Sequence, residues 1–171
     1  MRHCDGADGA PSDAVRRRPS RTLGAEKLAE TAFSGIIGHK TKMNAIIKNA
    51  WPYQKDRMNL PVENVEAAVP FYETVMGFQV VSRSDSPCKS AVLARDEIQI
   101  GLAENGGDPT QDGCFFEVDN VEAAFAELKS NGLEKDNADF RIDKHGDTSW
   151  KVFFVIAPDG LCYCLGERVP G

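Results

Sequence analysis

One seven-residue phrase occurs twice in this chain. Val62-Glu-Asn-Val-Glu-Ala-Ala68 returns as Val118-Asp-Asn-Val-Glu-Ala-Ala124, 56 positions later. Each copy follows a short apolar run, Leu60 to Val62 and Cys114 to Val118. Each opens a helical pattern that closes on glycine, Gly77 and Gly132. A strand, an Asn-capped helix and a glycine stop, written twice, mark a duplicated unit. That duplication constrains the fold more than composition does.

In the first copy Asn64 is the expected N-cap, and Glu66 lies in the first turn, where the helix dipole favours an acid. Ala68, Phe71, Tyr72, Val75 and Met76 recur at helical spacing and give the buried face. Pro70 lies inside that helix. A proline there costs roughly 3 kcal/mol, so the helix is expected to be irregular. Residues 57–62 read as the strand before it, and 78–83, 89–94 and 97–103 as the strands after it. Asp85-Ser-Pro87 and Arg95-Asp96 are the turns, the second a tight hairpin. Glu104-Asn-Gly-Gly-Asp-Pro109 is a linker of strong breakers. The second copy runs through a strand at 113–118, a helix at 121–131, and strands at 140–143, 149–156 and 161–165. Lys144-His-Gly-Asp147 and Ala157-Pro-Asp-Gly160 turn between them. The reading is an α+β domain over 57–168, made of two tandem βαβββ modules at 57–104 and 113–167.

Ahead of the repeat, residues 43–56 carry Ile46, Ile47, Trp51 and Tyr53. They are expected to pack on the domain edge. Residues 1–42 read as a tail outside the fold, either disordered or an over-extended start, since Met43 could itself initiate. Arg16-Arg-Arg-Pro-Ser-Arg21 has the flavour of a basic targeting arm, against which Asp5, Asp8 and Asp13 argue.

Those 42 residues carry a net charge of +3 and the remainder −9. An acidic body repels phosphate backbones, so nucleic acid is not an expected partner. No run approaches the roughly 18 apolar residues of a membrane span, so no membrane is expected either. The five cysteines, Cys4, Cys88, Cys114, Cys162 and Cys164, are odd in number and lack a framework spacing. With no apolar signal region before them they read as free thiols in a reducing compartment, the cytoplasm.

The order of motifs resembles the vicinal oxygen chelate superfamily: glyoxalase I, extradiol dioxygenases, and fosfomycin- and bleomycin-resistance proteins. The matching residues are Val62-Glu-Asn-Val65 with Phe71-Tyr72 and Gly77-Phe78, then Phe116-Glu-Val-Asp-Asn-Val121, then Pro158-Asp-Gly160 before a terminal strand. The resemblance spans roughly 57–167. It implies a curved, open, eight-stranded barrel-like sheet whose cleft holds the ligand, in a homodimer. The superfamily's enzymes hold a divalent metal with four side chains, one near the start of each module's first strand and one on each module's last. A Lewis acid there chelates two neighbouring substrate oxygens. Those places fall on Arg57, Gly101, Gly113 and Cys164, a set unsuited to Zn, Ni, Mn or Fe. Shifting the register by two brings in Asn59 or Gln99 without making a site. Of the three histidines, His3 and His39 lie in the tail over 1–42, and His145 reads as a loop residue.

No metal or other cofactor is therefore expected, and no catalytic residue is assigned. The resemblance is nearest in type to the bleomycin-resistance-like branch, in which the cleft sequesters a small molecule and no bond is broken. The ligand is expected to be cationic or aromatic. Two alternatives stay open: a metal-dependent lyase, isomerase or dioxygenase with displaced ligands, and a structural or regulatory domain with an empty cleft. The candidate ligand-binding residues are Arg57, Asn59, Gln99, Phe115, Glu117, Trp150, Phe154 and Cys164. Arg57 could clamp an anion or be a surface arginine. Gln99 could hydrogen-bond a ligand or lie on a solvated strand. Glu117 shares a strand face with Phe115 and could act as a base or hold a cation, or be a rim carboxylate. Trp150 and Phe154 share a face and could stack on a ligand or fill the core. Cys162 and Cys164 share one face of the last strand, where small cleft-lining hydrophobes suit better than a disulfide or zinc site.

Overall fold

The computed structural model describes residues 44–170; the expected tail over 1–42 lies outside the described residues. Among them, the elements run β1 (Ile47–Pro52), β2 (Leu60–Pro61), α1 (Val65–Thr74), β3 (Gln79–Ser84), β4 (Ser90–Arg95), β5 (Ile98–Ala103), β6 (Gly113–Val118), α2 (Val121–Ser130), β7 (Arg141–His145), β8 (Thr148–Ile156) and β9 (Cys162–Val169). No helix among the described residues is long and apolar enough to cross a membrane.

The two helices start in the same way. Asn64 and Asn120 hold extended backbones, φ −147° and −148°, and each side-chain oxygen accepts from the N–H three residues on, at 2.8 Å from Ala67 and 2.7 Å from Ala123. That satisfies one of the donors a helix start leaves open. At the far end of α1, Gly77 takes φ 73°, and the Phe78 N–H returns to the Tyr72 carbonyl at 2.9 Å. Only a residue without Cβ adopts that turn freely. Pro70 does not break α1, contrary to the irregularity expected there: the helix is continuous from Val65 to Thr74. Pro70 and Glu66 are both exposed. The carbonyl that Pro70 leaves without a donor can therefore turn to water.

Backbone hydrogen bonds sort the strands into two sheets, ordered β2-β5-β4-β3 and β1-β6-β9-β8-β7. Set β1 aside and the order is the same in both. The strand before the helix lies parallel beside the last strand, Leu60 opposite Leu102 and Phe115 opposite Cys164, and the remaining pairs are antiparallel. The sequence pattern led to eight strands, whereas nine are found among the described residues. The additional one is β1, antiparallel to β6 with Trp51 opposite Phe115. The first expected strand, 57–62, shrinks to Leu60–Pro61, because residues 57–59 form a turn held by the Asn59 N–H to the Asp56 carbonyl at 3.1 Å.

Both helices lay their apolar faces on the sheets in one continuous core. Val65, Ala68, Val69 and Tyr72 come from α1, and Val121, Ala124 and Leu128 from α2. Tyr72 and Tyr163 are fully buried yet polar, and each finds a partner. Their hydroxyls lie 2.9 Å apart, and Tyr72 donates to Asp159 Oδ2 at 2.8 Å. Asp159 also accepts the Leu161 N–H at 2.9 Å, which ties the Pro158-Asp-Gly160 turn to α1. Burial raises the Asp159 carboxyl above the ordinary carboxylate value, against the pull of those two hydrogen bonds.

A second polar knot crosses from one repeat to the other. Arg95, at the end of β4, donates from Nη2 to Glu127 Oε2 at 2.9 Å and to the Ala45 carbonyl at 2.8 Å, and from Nη1 to the Met76 carbonyl at 2.6 Å. Glu127 Oε2 in turn accepts the Ala45 N–H at 3.1 Å. Asp96 accepts the Ile47 N–H at 2.9 Å. The side chains of Arg95 and Glu127 are 11% and 5% exposed, so little water screens this pair. Removing one partner of a buried ion pair costs about 3–5 kcal/mol, since the other charge is stranded. Glu127→Ala is therefore expected to lower unfolding free energy by about 3 kcal/mol in urea denaturation, and to raise proteolysis of the segment around Ala45. A change below about 1 kcal/mol would mean that the pair carries little.

Candidate ligand-binding site

The five-stranded sheet has a second apolar surface on the side away from the helices. Alternation places Phe115 and Glu117 of β6, Trp150, Val152 and Phe154 of β8, and Cys162, Cys164, Gly166 and Arg168 of β9 on that side. Trp150, Val152 and Cys164 are buried there as a separate cluster, with Phe115 and Phe154 packed against them. Phe153 and Val155, on the opposite face, belong to the main core.

This surface forms the floor of a cavity of about 570 Å³. Its rings are Trp51, Phe115, Trp150 and Phe154, its thiols Cys162 and Cys164, and its other polar groups belong to Tyr53, Asp143, His145 and Arg168. Three of the rings meet one another, two pairs steeply and one tilted: Phe115 to Trp150 at 5.0 Å and 80°, Trp51 to Trp150 at 6.4 Å and 76°, and Trp51 to Phe115 at 5.8 Å and 42°. Edge-to-face contacts of this kind hold the rings in place. Gly166 makes room for them. A Cβ on it would lie 2.6 Å from the Phe115 ring and 3.0 Å from Val152. Phe115 therefore lies down across β9 only because residue 166 has no side chain.

Charge is arranged around the cavity in two pairs. Arg141 meets Asp143, Nε to Oδ1 at 3.0 Å, and its guanidinium sits 4.5 Å from the centre of the Phe154 ring. Arg168 meets Glu117, Nε to Oε1 at 3.1 Å, and lies 5.0 Å from the centre of the Trp150 ring. Glu117, only 7% exposed, also accepts from Asn49 Nδ2 at 2.6 Å. Burial pushes the Cys164 thiol up to about 12, with the Asp143 carboxylate adding to the effect. Burial also raises Cys162.

Of the residues expected to bind ligand, Phe115, Trp150, Phe154 and Cys164 come together at this cavity. Glu117 stands behind it and reaches it through Arg168. Arg57, Asn59 and Gln99 lie elsewhere. Arg57 donates from Nη1 to the Ala50 carbonyl at 3.0 Å, Asn59 accepts from Asn105 Nδ2 at 2.9 Å, and Gln99 is exposed on β5. Trp51, Tyr53, Asp143, His145 and Arg168 were not anticipated. Arg168 was within reach, since the alternation of Cys162 and Cys164 continues through Gly166 to residue 168. Trp51 depends on the pairing of β1 with β6, which no local pattern announces.

Of the four places where the superfamily's enzymes carry metal ligands, three offer no ligating side chain here and only Cys164 has a donor atom. Arg57 is committed to a carbonyl. A Cβ on Gly101 would lie 2.1 Å from the Met58 carbonyl oxygen, and one on Gly113 would lie 1.7 Å from that of Cys162. Neither position can accept a ligating side chain on this backbone. Among the described residues no three His, Cys, Asp or Glu side chains gather as a metal site.

Comparison with known proteins agrees with the topology. The family model of the Glyoxalase/Bleomycin resistance protein/Dioxygenase superfamily matches residues 54–161, and the chain belongs to that superfamily. No curated protein matches the sequence. Among solved structures, a virulence protein of Salmonella typhimurium is similar at 18% identity and TM-score 0.52, over 68% of this chain and 97% of that one. A protein from the mobile metagenome of V. pseudocholerae gives 18% and 0.52, over 68% and 95%. An integron cassette protein from that of V. cholerae gives 20% and 0.50, over 67% and 94%. At such identities the likeness is one of fold.

A thiol raised from 9.0 to about 12 holds about a thousandth of the usual thiolate at pH 8. Cys164 is thus expected to react with iodoacetamide at least about a hundredfold more slowly than free glutathione, as followed by peptide mass spectrometry. Equal rates would show the thiol to be far more open than its burial indicates.

Proposed function

We propose that this chain is a small-molecule binding protein that takes a flat aromatic ligand on the outer face of its five-stranded sheet, with no metal and no bond broken. One observation carries the reading. Four aromatic rings from β1, β6 and β8 border a single cavity of about 570 Å³, a size and lining suited to one small molecule. The donor set supports the metal-free part, for Arg57, Gly101 and Gly113 offer no ligating atom.

The two modules, 57–104 and 113–167, are the two halves of a curved open barrel in this reading, and the shared strand order of the two sheets supports that. The homodimer belongs to the same proposal. Trp51 and Tyr53 border the cavity with 43% and 44% of their surface exposed, which supports a second chain covering them. Four free thiols among the described residues support a reducing compartment such as the cytoplasm.

The test is calorimetric titration of the full chain with flat bicyclic and tricyclic aromatics, alongside Trp51→Ala and Phe154→Ala. Saturable binding near one ligand per chain is expected, weakened roughly tenfold by either substitution, as loss of a stacking ring predicts. Heats unchanged by both variants would place any binding elsewhere. Stoichiometric uptake of Zn, Ni, Mn or Fe(II) after desalting would overturn the metal-free part.

A further inference from the structure

The cavity's charged groups say more about the ligand than its rings do. A cationic ligand would need an open carboxylate or an uncovered ring face. Both carboxylates are already engaged, Asp143 by Arg141 and Glu117 by Arg168 together with Asn49. Two of the rings already carry a guanidinium over one face, Phe154 under Arg141 and Trp150 under Arg168. The protein's own arginines thus take both carboxylates and two of the ring surfaces that would attract a cation.

What is left open is a donor. Arg168 spends Nε on Glu117 and makes no other hydrogen bond to the described residues, so its two terminal nitrogens are unspent. Its side chain is 60% exposed and lines the cavity. Glu117 holds the guanidinium at Nε and Trp150 lies beneath it, so the group has two contacts that orient it. A planar fork of two N–H donors, fixed at the edge of an aromatic cavity, matches a carboxylate in the plane of a neighbouring ring. His145 lines the same cavity with an exposed imidazole and can add a further donor.

We propose that the ligand is an aromatic carboxylic acid, its ring system held among Trp51, Phe115 and Phe154 and its carboxylate held by Arg168. This rests on the cavity being the binding site; it keeps the aromatic ligand expected from the sequence and replaces the cationic one. Net charge governs long-range attraction. Which charge a site accepts is decided by the groups within a few ångströms.

The experiment compares three probes of one shape on the full chain by titration calorimetry: 2-naphthoate, 2-naphthamide and 2-naphthylmethylammonium. The expected order is carboxylate first, by about tenfold or more over the amide, with the ammonium weakest. Arg168→Gln keeps an N–H for Glu117 and should bring the carboxylate down to the level of the amide while amide binding persists. Arg168→Lys keeps the charge without the fork and should restore only part of the preference. Thermal melts of both variants confirm that they fold. If amide and carboxylate bind equally, or the ammonium binds best, the carboxylate assignment is overturned and the cavity reading stands. If no probe binds, both fall together.

Discussion

The ion pair between Arg95 and Glu127 ties both repeats and the approach to β1 together. Shifted by the 56 residues of the repeat, Glu127 occupies the helix position that Phe71 holds in the first copy. An acid on a buried helix face is costly unless paired. Here it is paired, and by a residue of the other repeat. Arg95 then uses its remaining donors on the end of α1 and on Ala45, just ahead of β1. One guanidinium thus fixes the spacing of two helices and anchors the strand that carries Trp51. The aromatic cavity is on the far side of the sheet from this knot and still depends on it.

Duplication explains the frame, and divergence explains the chemistry. The caps at Asn64 and Asn120 are almost superimposable in dihedral angle, and the strand order recurs in each sheet. The non-helix faces are not alike. On the four-stranded sheet that side carries Ser90, Val92, Ala94 and Gln99, with Gly101 under the Met58 backbone. On the five-stranded sheet it carries four aromatics, two of them capped by guanidinium groups, and two thiols. The aromatic side chains have gathered on one copy, while the other kept the architecture with small side chains.

Much of this was legible in the sequence, and the reasons differ from element to element. The repeat, both helix caps and the glycine stop at Gly77 are local, so a local reading finds them. Phe115, Trp150, Phe154 and Cys164 follow from period-two alternation once the strands are placed. Arg57, Asn59 and Gln99 follow from the positions of the superfamily's metal ligands rather than from the alternation of the five-stranded sheet, and they lie off the cavity. Pro70 was expected to disturb α1, but the cost of a proline falls when the carbonyl it abandons faces solvent. Trp51 and the Arg95–Glu127 pair depend on contacts between residues far apart in the chain. Neither hydrophobic periodicity nor turn chemistry encodes such contacts.

The strand β1 has a consequence for how proteins of this kind are compared. It lies outside both repeats, and the stretch shared with the superfamily begins at residue 54, just after Tyr53. Two walls of the cavity therefore come from a segment that an alignment of the common core leaves out. Chains can agree throughout the duplicated region and still differ in these two walls, because the unit that repeats and the unit that borders the cavity have different limits. A survey of specificity across such proteins should begin a dozen residues upstream of where their resemblance does.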